Sequence, residues 1–75
     1  MMMKTSIEIF KTNVLNRPVA AKLVKCLEGL LAQAKVNFDL EDCDHILRVE
    51  APQAIDVALV RNCVLYHGYE AERLP

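Results

Sequence analysis

The sequence has no tryptophan and only two glycines, and none of its apolar runs exceeds four residues. A membrane-spanning helix needs about 18 or more consecutive apolar residues, so none is predicted. Nine basic side chains nearly balance ten acidic ones, which argues against a nucleic acid bound through bulk positive charge. The chain also lacks the aromatic motif and the basic stripe that RNA-binding sheets use. We therefore expect neither a nucleic-acid nor a membrane partner.

A disulfide framework is also missing, because three cysteines cannot all pair and their separations fit no known scaffold. With 53% hydrophobic residues the chain is too apolar to be disordered. Its 75 residues allow one compact domain, predicted to span residues 1–75. The start, Met1–Thr5, has no apolar stretch of a secretory signal. A cytoplasmic location, where thiols stay reduced, is therefore expected.

Apolar periodicity defines the order of the elements. It predicts βαββαβ, with elements at residues 5–12, 19–32, 36–40, 46–50, 53–67 and 69–74. Ile7 and Ile9 are expected to face inward from the first strand. Asn16 is predicted to cap the first helix, and Asp56 lies in the first turn of the second, where an acid favours the dipole. Gly68 suits the left-handed position that ends a helix.

This order is typical of an α+β ferredoxin-like sandwich, in which two helices cover one face of a four-stranded antiparallel sheet. The second half of the chain carries further residues at characteristic spacings, namely Val36–Leu40, Leu47–Glu50, Val60, Val64 and Gly68–Glu72. In these segments the chain resembles the heavy-metal-associated (HMA) domain family, the small copper chaperones and soft-metal modules of transport ATPases. Leu23, Leu27 and Leu30 also fall where the first helix of that family has its core residues.

The metal chemistry of that family depends on a Met-x-Cys-x-x-Cys loop between the first strand and the first helix. The resemblance places its two cysteines at Asn16 and Val19, so both thiolates are missing here. Cu(I) prefers a pair of thiolate ligands, and this segment contains none. We therefore predict a degenerate metal loop with no bound cofactor, formed by Val14, Leu15, Asn16, Arg17, Pro18 and Val19.

Three thiols remain elsewhere. Cys26 and Cys63 fall at or beside core positions of the two helices, and are interpreted as small buried hydrophobes. Since both helices pack on one sheet face, a metal pair formed by these two thiols is the alternative. Cys43 is expected in an exposed hairpin turn, where Asp42 and Asp44 disfavour its thiolate. His67 is interpreted as a capping or packing residue at a helix end.

The second predicted helix has apolar residues on nearly all sides. One stripe is assigned to the core, and the other lies roughly 120–180° away. Such a helix is either deeply buried or docked to a partner, although scattered surface hydrophobes are also ordinary. A protein partner or self-association is therefore predicted at Ile55, Leu59, Leu65 and Tyr66.

No nucleophile–base pair, phosphate loop or paired carboxylates suggest an enzyme. The expected function is a non-enzymatic HMA-like binding module without the metal loop, acting as a protein-interaction or homodimerising domain. The alternative is an atypical soft-metal binding or trafficking protein that holds copper or zinc through Cys26, Cys43 or Cys63.

Overall fold

The computed structural model describes residues 5–75. The elements are β1 (Ser6–Thr12), α1 (Arg17–Leu30), β2 (Lys35–Asp39), β3 (Ile46–Ala51), α2 (Val57–Tyr66) and β4 (Ala71–Leu74). The strands form one antiparallel sheet in the order β2-β3-β1-β4. Buried residues of both helices join those of the sheet in a single core cluster. The predicted ferredoxin-like α+β sandwich is therefore confirmed.

The prediction that no secretory signal is present concerns Met1–Thr5, of which residues 1–4 lie outside the described part of the chain. Across residues 5–75, no helix is both long enough and apolar enough to span a bilayer.

Both helices begin at side-chain caps. Asn16 is the predicted cap of α1, and its Oδ1 accepts a hydrogen bond from the Val19 amide at 3.0 Å. Asp56 was expected inside the first turn of a helix over residues 53–67. Instead it caps a shorter helix, with its Oδ1 accepting from the Leu59 amide at 3.2 Å. The cap satisfies an amide that has no partner within the helix, so α2 starts at residue 57.

Substituting Asp56 with alanine is expected to lower the free energy of unfolding by roughly 1 kcal/mol, because the Leu59 amide loses its acceptor. Asp56→Asn is the matched control, since asparagine caps about as well as aspartate. Urea unfolding followed by circular dichroism measures both variants. Equal destabilisation by the two variants would contradict the capping role.

The orientation of β1 is opposite to the prediction. Phe10 is fully buried, whereas Ile7 is 47% exposed and Ile9 is only partly buried. The reason is the register with β3, where Phe10 pairs with Leu47. Because partners across a sheet share a face, the fully buried Leu47 places Phe10 inward and the two isoleucines outward.

The same register points Glu8 toward the helix-bearing side, where a carboxylate needs a partner. The Arg73 side chain of β4 supplies it, with its Nε donating to Glu8 Oε1 at 2.7 Å. Within residues 5–75 no helix covers the opposite side of the sheet, which is called the open face. Its apolar residues are Ile7, Ile9, Ile46 and Leu74, and charged residues of all four strands surround them.

The end of α2 follows the predicted pattern. Gly68 has φ +90°, a left-handed conformation that glycine adopts without strain. Its amide donates to the Leu65 carbonyl at 2.9 Å, and the Tyr69 amide donates to the Val64 carbonyl at 3.1 Å. Because Tyr69 still completes the helix end, β4 begins at Ala71 rather than at residue 69.

Candidate metal centre between the helices

Two thiols meet where α1 and α2 pack against each other. Cys26 of α1 and Cys63 of α2 are 37 residues apart in sequence, yet their Sγ atoms are 3.3 Å apart. Cys63 is buried and belongs to the core, while Cys26 is half-buried at its edge. The predicted burial is therefore confirmed for Cys63, whereas Cys26, predicted to be a buried hydrophobe, is only half-buried against the core.

A histidine completes this cluster. One ligand atom from each of Cys26, Cys63 and His67 lies within 4.8 Å of the other two. His67 follows Cys63 by four residues, so both side chains lie on the same face of the chain at the end of α2. The Nδ1 of His67 is 2.9 Å from the Cys63 carbonyl oxygen. If Nδ1 carries the ring proton and donates it there, Nε2 keeps a free lone pair, the usual arrangement for a metal-ligating imidazole.

The Cys63 thiol of this cluster is held in its neutral form. Burial raises the pKa of Cys63 to about 12, and the hydrogen bond and charge interaction with Cys26 act in the same direction. Two thiolates at 3.3 Å would repel each other without a cation between them. A bound metal ion reverses this preference, because a coordinating thiol loses its proton on binding.

The predicted degenerate loop forms no comparable cluster. Val14 is fully buried in the core, and Asn16 is occupied as the helix cap. Arg17, Pro18 and Val19 form the first turn of α1, and Leu15 is 71% exposed. No side chain of this segment is a thiol, imidazole or carboxylate.

Hydrogen bonds join three connections at the end of the sheet where β1 leads into α1. Buried Thr12 donates its amide to the Asp44 carbonyl at 3.1 Å and its Oγ1 to the His45 carbonyl at 2.6 Å. Its Oγ1 also accepts from the Val14 amide at 3.2 Å. Asn13 Oδ1 accepts from the Glu70 amide at 2.8 Å. The β1–α1, β2–β3 and α2–β4 connections are thereby joined at one end of the fold.

Cys43 is exposed in the β2–β3 connection, as predicted. Its sulfur lies within 4.8 Å of carboxylate oxygens of Asp42 and Asp44. Asp42 Oδ1 already accepts from the Asp44 amide at 2.9 Å, and Asp44 faces Lys11 Nζ at 3.9 Å. These contacts account for both carboxylates as parts of a solvated turn.

The residues of the predicted partner interface divide into two groups. Ile55 and Leu59 are partly buried against the core. Leu65 and Tyr66 are 62% and 88% exposed, respectively. The apolar surface available on α2 is therefore smaller than predicted, and docking of a partner there stays a prediction.

A scan against protein-family models and searches of curated proteins and of solved structures return no match. The resemblance to HMA domains consequently rests on the quoted residues alone.

The sequence predicts that the two helical cysteines can form a pair, but His67 was not predicted as a third member of the cluster. The missed signal is the i, i+4 spacing of Cys63 and His67, which places a thiol and an imidazole one helical turn apart. Their meeting with Cys26 depends on how the two helices pack, which periodicity does not specify.

Proposed function

We propose that this domain is a non-enzymatic binding module that holds one thiophilic metal ion between its two helices, through Cys26, Cys63 and His67. The observation that carries the proposal is the 3.3 Å separation of the two Sγ atoms, with an imidazole nitrogen beside them. Of the two functions predicted from the sequence, this separation favours soft-metal binding. The ligands come from the helices, not from the β1–α1 loop that the family resemblance indicates.

The thiol separation can be compared with metal geometry. Two sulfurs bonded to Zn²⁺ at about 2.3 Å with tetrahedral angles lie about 3.8 Å apart, whereas a linear arrangement of similar bonds needs about 4.6 Å. The observed 3.3 Å is closer to the tetrahedral value, so a half-ångström adjustment of side chains suffices. This favours Zn²⁺ over linearly coordinated Cu(I).

The surroundings are also suitable for an ion. Cys26 and His67 are half-buried, so an ion can reach the cluster from solvent, while buried Cys63 anchors it to the core. Two thiolates and one neutral imidazole supply three of the four ligands that Zn²⁺ takes in proteins. Water or an external ligand fills the fourth position, as in sites where the metal stays accessible.

Titration of the reduced protein with Co²⁺, followed by displacement with Zn²⁺, tests the proposal. We expect one Co²⁺ per chain, with sulfur-to-cobalt charge-transfer absorption and the intense visible bands of tetrahedral Co²⁺. Competition against a chromophoric chelator then gives the Zn²⁺ affinity. Cu(I) titrated under the same conditions separates a tetrahedral from a linear preference.

Variants identify the ligands. Cys26→Ser and His67→Ala are expected to weaken Zn²⁺ binding, and Cys26→Ser by more than about 100-fold, since even outer-shell partners contribute about 10–100-fold. Cys43→Ser is the matched control and should bind like the parent protein. Unchanged affinity in Cys26→Ser, or loss of binding in Cys43→Ser, would place the metal elsewhere and refute the proposal.

A further inference from the structure

We propose that Cys26 and Cys63 form a reversible intramolecular disulfide when the domain meets a hydroperoxide, and that this oxidation empties the metal site. The second half of this statement rests on the proposed function. The first half rests on the position of the two thiols alone.

The geometry already brings the reacting atoms together. A disulfide needs its sulfurs about 2.0 Å apart, and here they lie 3.3 Å apart with Cys63 Sγ directed at Cys26 Sγ in a hydrogen bond. No other cysteine competes within the chain, because Cys43 lies in the β2–β3 connection and is grouped with two aspartates. Closing the remaining gap requires rotation of side chains on two packed helices, not a new fold.

The difference in exposure between the two thiols determines which of them the peroxide oxidises first. Cys26 is half-buried and open to a small oxidant, whereas Cys63 is buried. The Cys26 sulfur attacks the peroxide O–O bond, which breaks to give a sulfenic acid and water. Cys63 sulfur then attacks the Cys26 sulfur, the S–O bond breaks, and the hydroxide leaves as a second water with the Cys63 proton. The two thiols lose two electrons and two protons, and hydrogen peroxide takes up both to become two waters.

The consequence for the metal site follows from ligand chemistry. Thiolates are the ligands of a soft metal, and a disulfide offers no thiolate. Oxidation therefore leaves His67 as the single remaining ligand of the cluster, and a bound ion is released. A thiol reductant restores both sulfurs and the site.

The experiment uses the Cys43→Ser protein, which has only the two helical thiols, in its reduced and metal-free form. We expect hydrogen peroxide to reduce the titratable thiols from two per chain to none. The product should be a monomer whose mass is lower by two hydrogen atoms, with a reducible cross-link between peptides containing Cys26 and Cys63. Zn²⁺ binding should be lost in this product and recovered after dithiothreitol. The Cys26→Ser variant should leave Cys63 titratable after the same treatment.

The outcomes separate the two proposals. A disulfide in a protein that never binds Zn²⁺ when reduced would uphold the oxidation but refute metal binding. Zn²⁺ binding with no cross-link, or oxidation of Cys26 to a sulfinic acid while Cys63 stays titratable, would overturn this inference and leave the metal site in place. Covalent dimers in place of the cross-linked monomer would also overturn it.

Discussion

The Phe10→Ala protein is expected to be about 3–5 kcal/mol less stable than the parent chain, the largest effect we predict for any single substitution. Phe10 is fully buried at the centre of the core and pairs with Leu47 across the sheet. Removing its ring takes away buried apolar area and leaves a cavity that the surrounding side chains only partly fill. Domains have only about 0.05–0.15 kcal/mol of stability per residue, so this loss is a large fraction of the total free energy of unfolding.

Ile7→Ala is the matched control on the opposite face of the same strand. Ile7 is about half exposed, and surface substitutions usually change stability by no more than about 0.5 kcal/mol. Urea unfolding of both variants gives the comparison. If Ile7→Ala were as destabilising as Phe10→Ala, either the orientation of β1 would be wrong or another molecule would cover the open face.

The second large effect is stabilisation by metal. If Zn²⁺ binds the folded domain and not the unfolded chain, a free concentration about a thousandfold above Kd adds about 4 kcal/mol to the free energy of unfolding. For a domain of this size that raises Tm by roughly 15–30 °C. Thermal unfolding of the reduced protein with Zn²⁺ and with a chelator measures the difference.

Substitutions again locate the effect. The Tm of Cys43→Ser should rise with Zn²⁺ as in the parent protein, whereas the Tm of Cys63→Ala should be independent of Zn²⁺. Cys63→Ala keeps a small apolar side chain in the core, so it is expected to fold. A metal-dependent Tm in Cys63→Ala would show that the ion binds away from the helices.

Local patterns were sufficient to predict the fold. Helical spacing around Leu23 and Leu27, strict alternation near Val36 and a glycine at position 68 each favour one element, and all agree with one topology. The pattern of β1 did not determine which of its residues face the helices. Ile7 and Ile9 lie on one face of the strand and Phe10 lies on the other, so both faces contain apolar residues. Only pairing with β3, whose buried residues include Leu47, fixes which set faces the helices.

The candidate site was predictable only in part. The burial of Cys26 and Cys63 follows from their places beside apolar stripes, and the exposure of Cys43 follows from its polar surroundings. The 3.3 Å approach of two sulfurs depends on the crossing of two helices, a tertiary property absent from any single segment. The exposed apolar surface around α2 was overstated for the same reason. Leu59 packs against the core from the helix, and Ile55 does so from the segment before it, because α2 begins at residue 57 and not at residue 53.

The braced end of the sheet has a consequence for how the domain can move. Thr12 and Asn13 join three connections that are far apart in the chain. Because hydrogen bonds join these connections, one of them cannot open without disturbing the other two. We therefore expect this end to open only when much of the fold opens. His67 lies in one of these three connections, so the imidazole of the candidate metal centre is attached to the part of the fold that resists local opening.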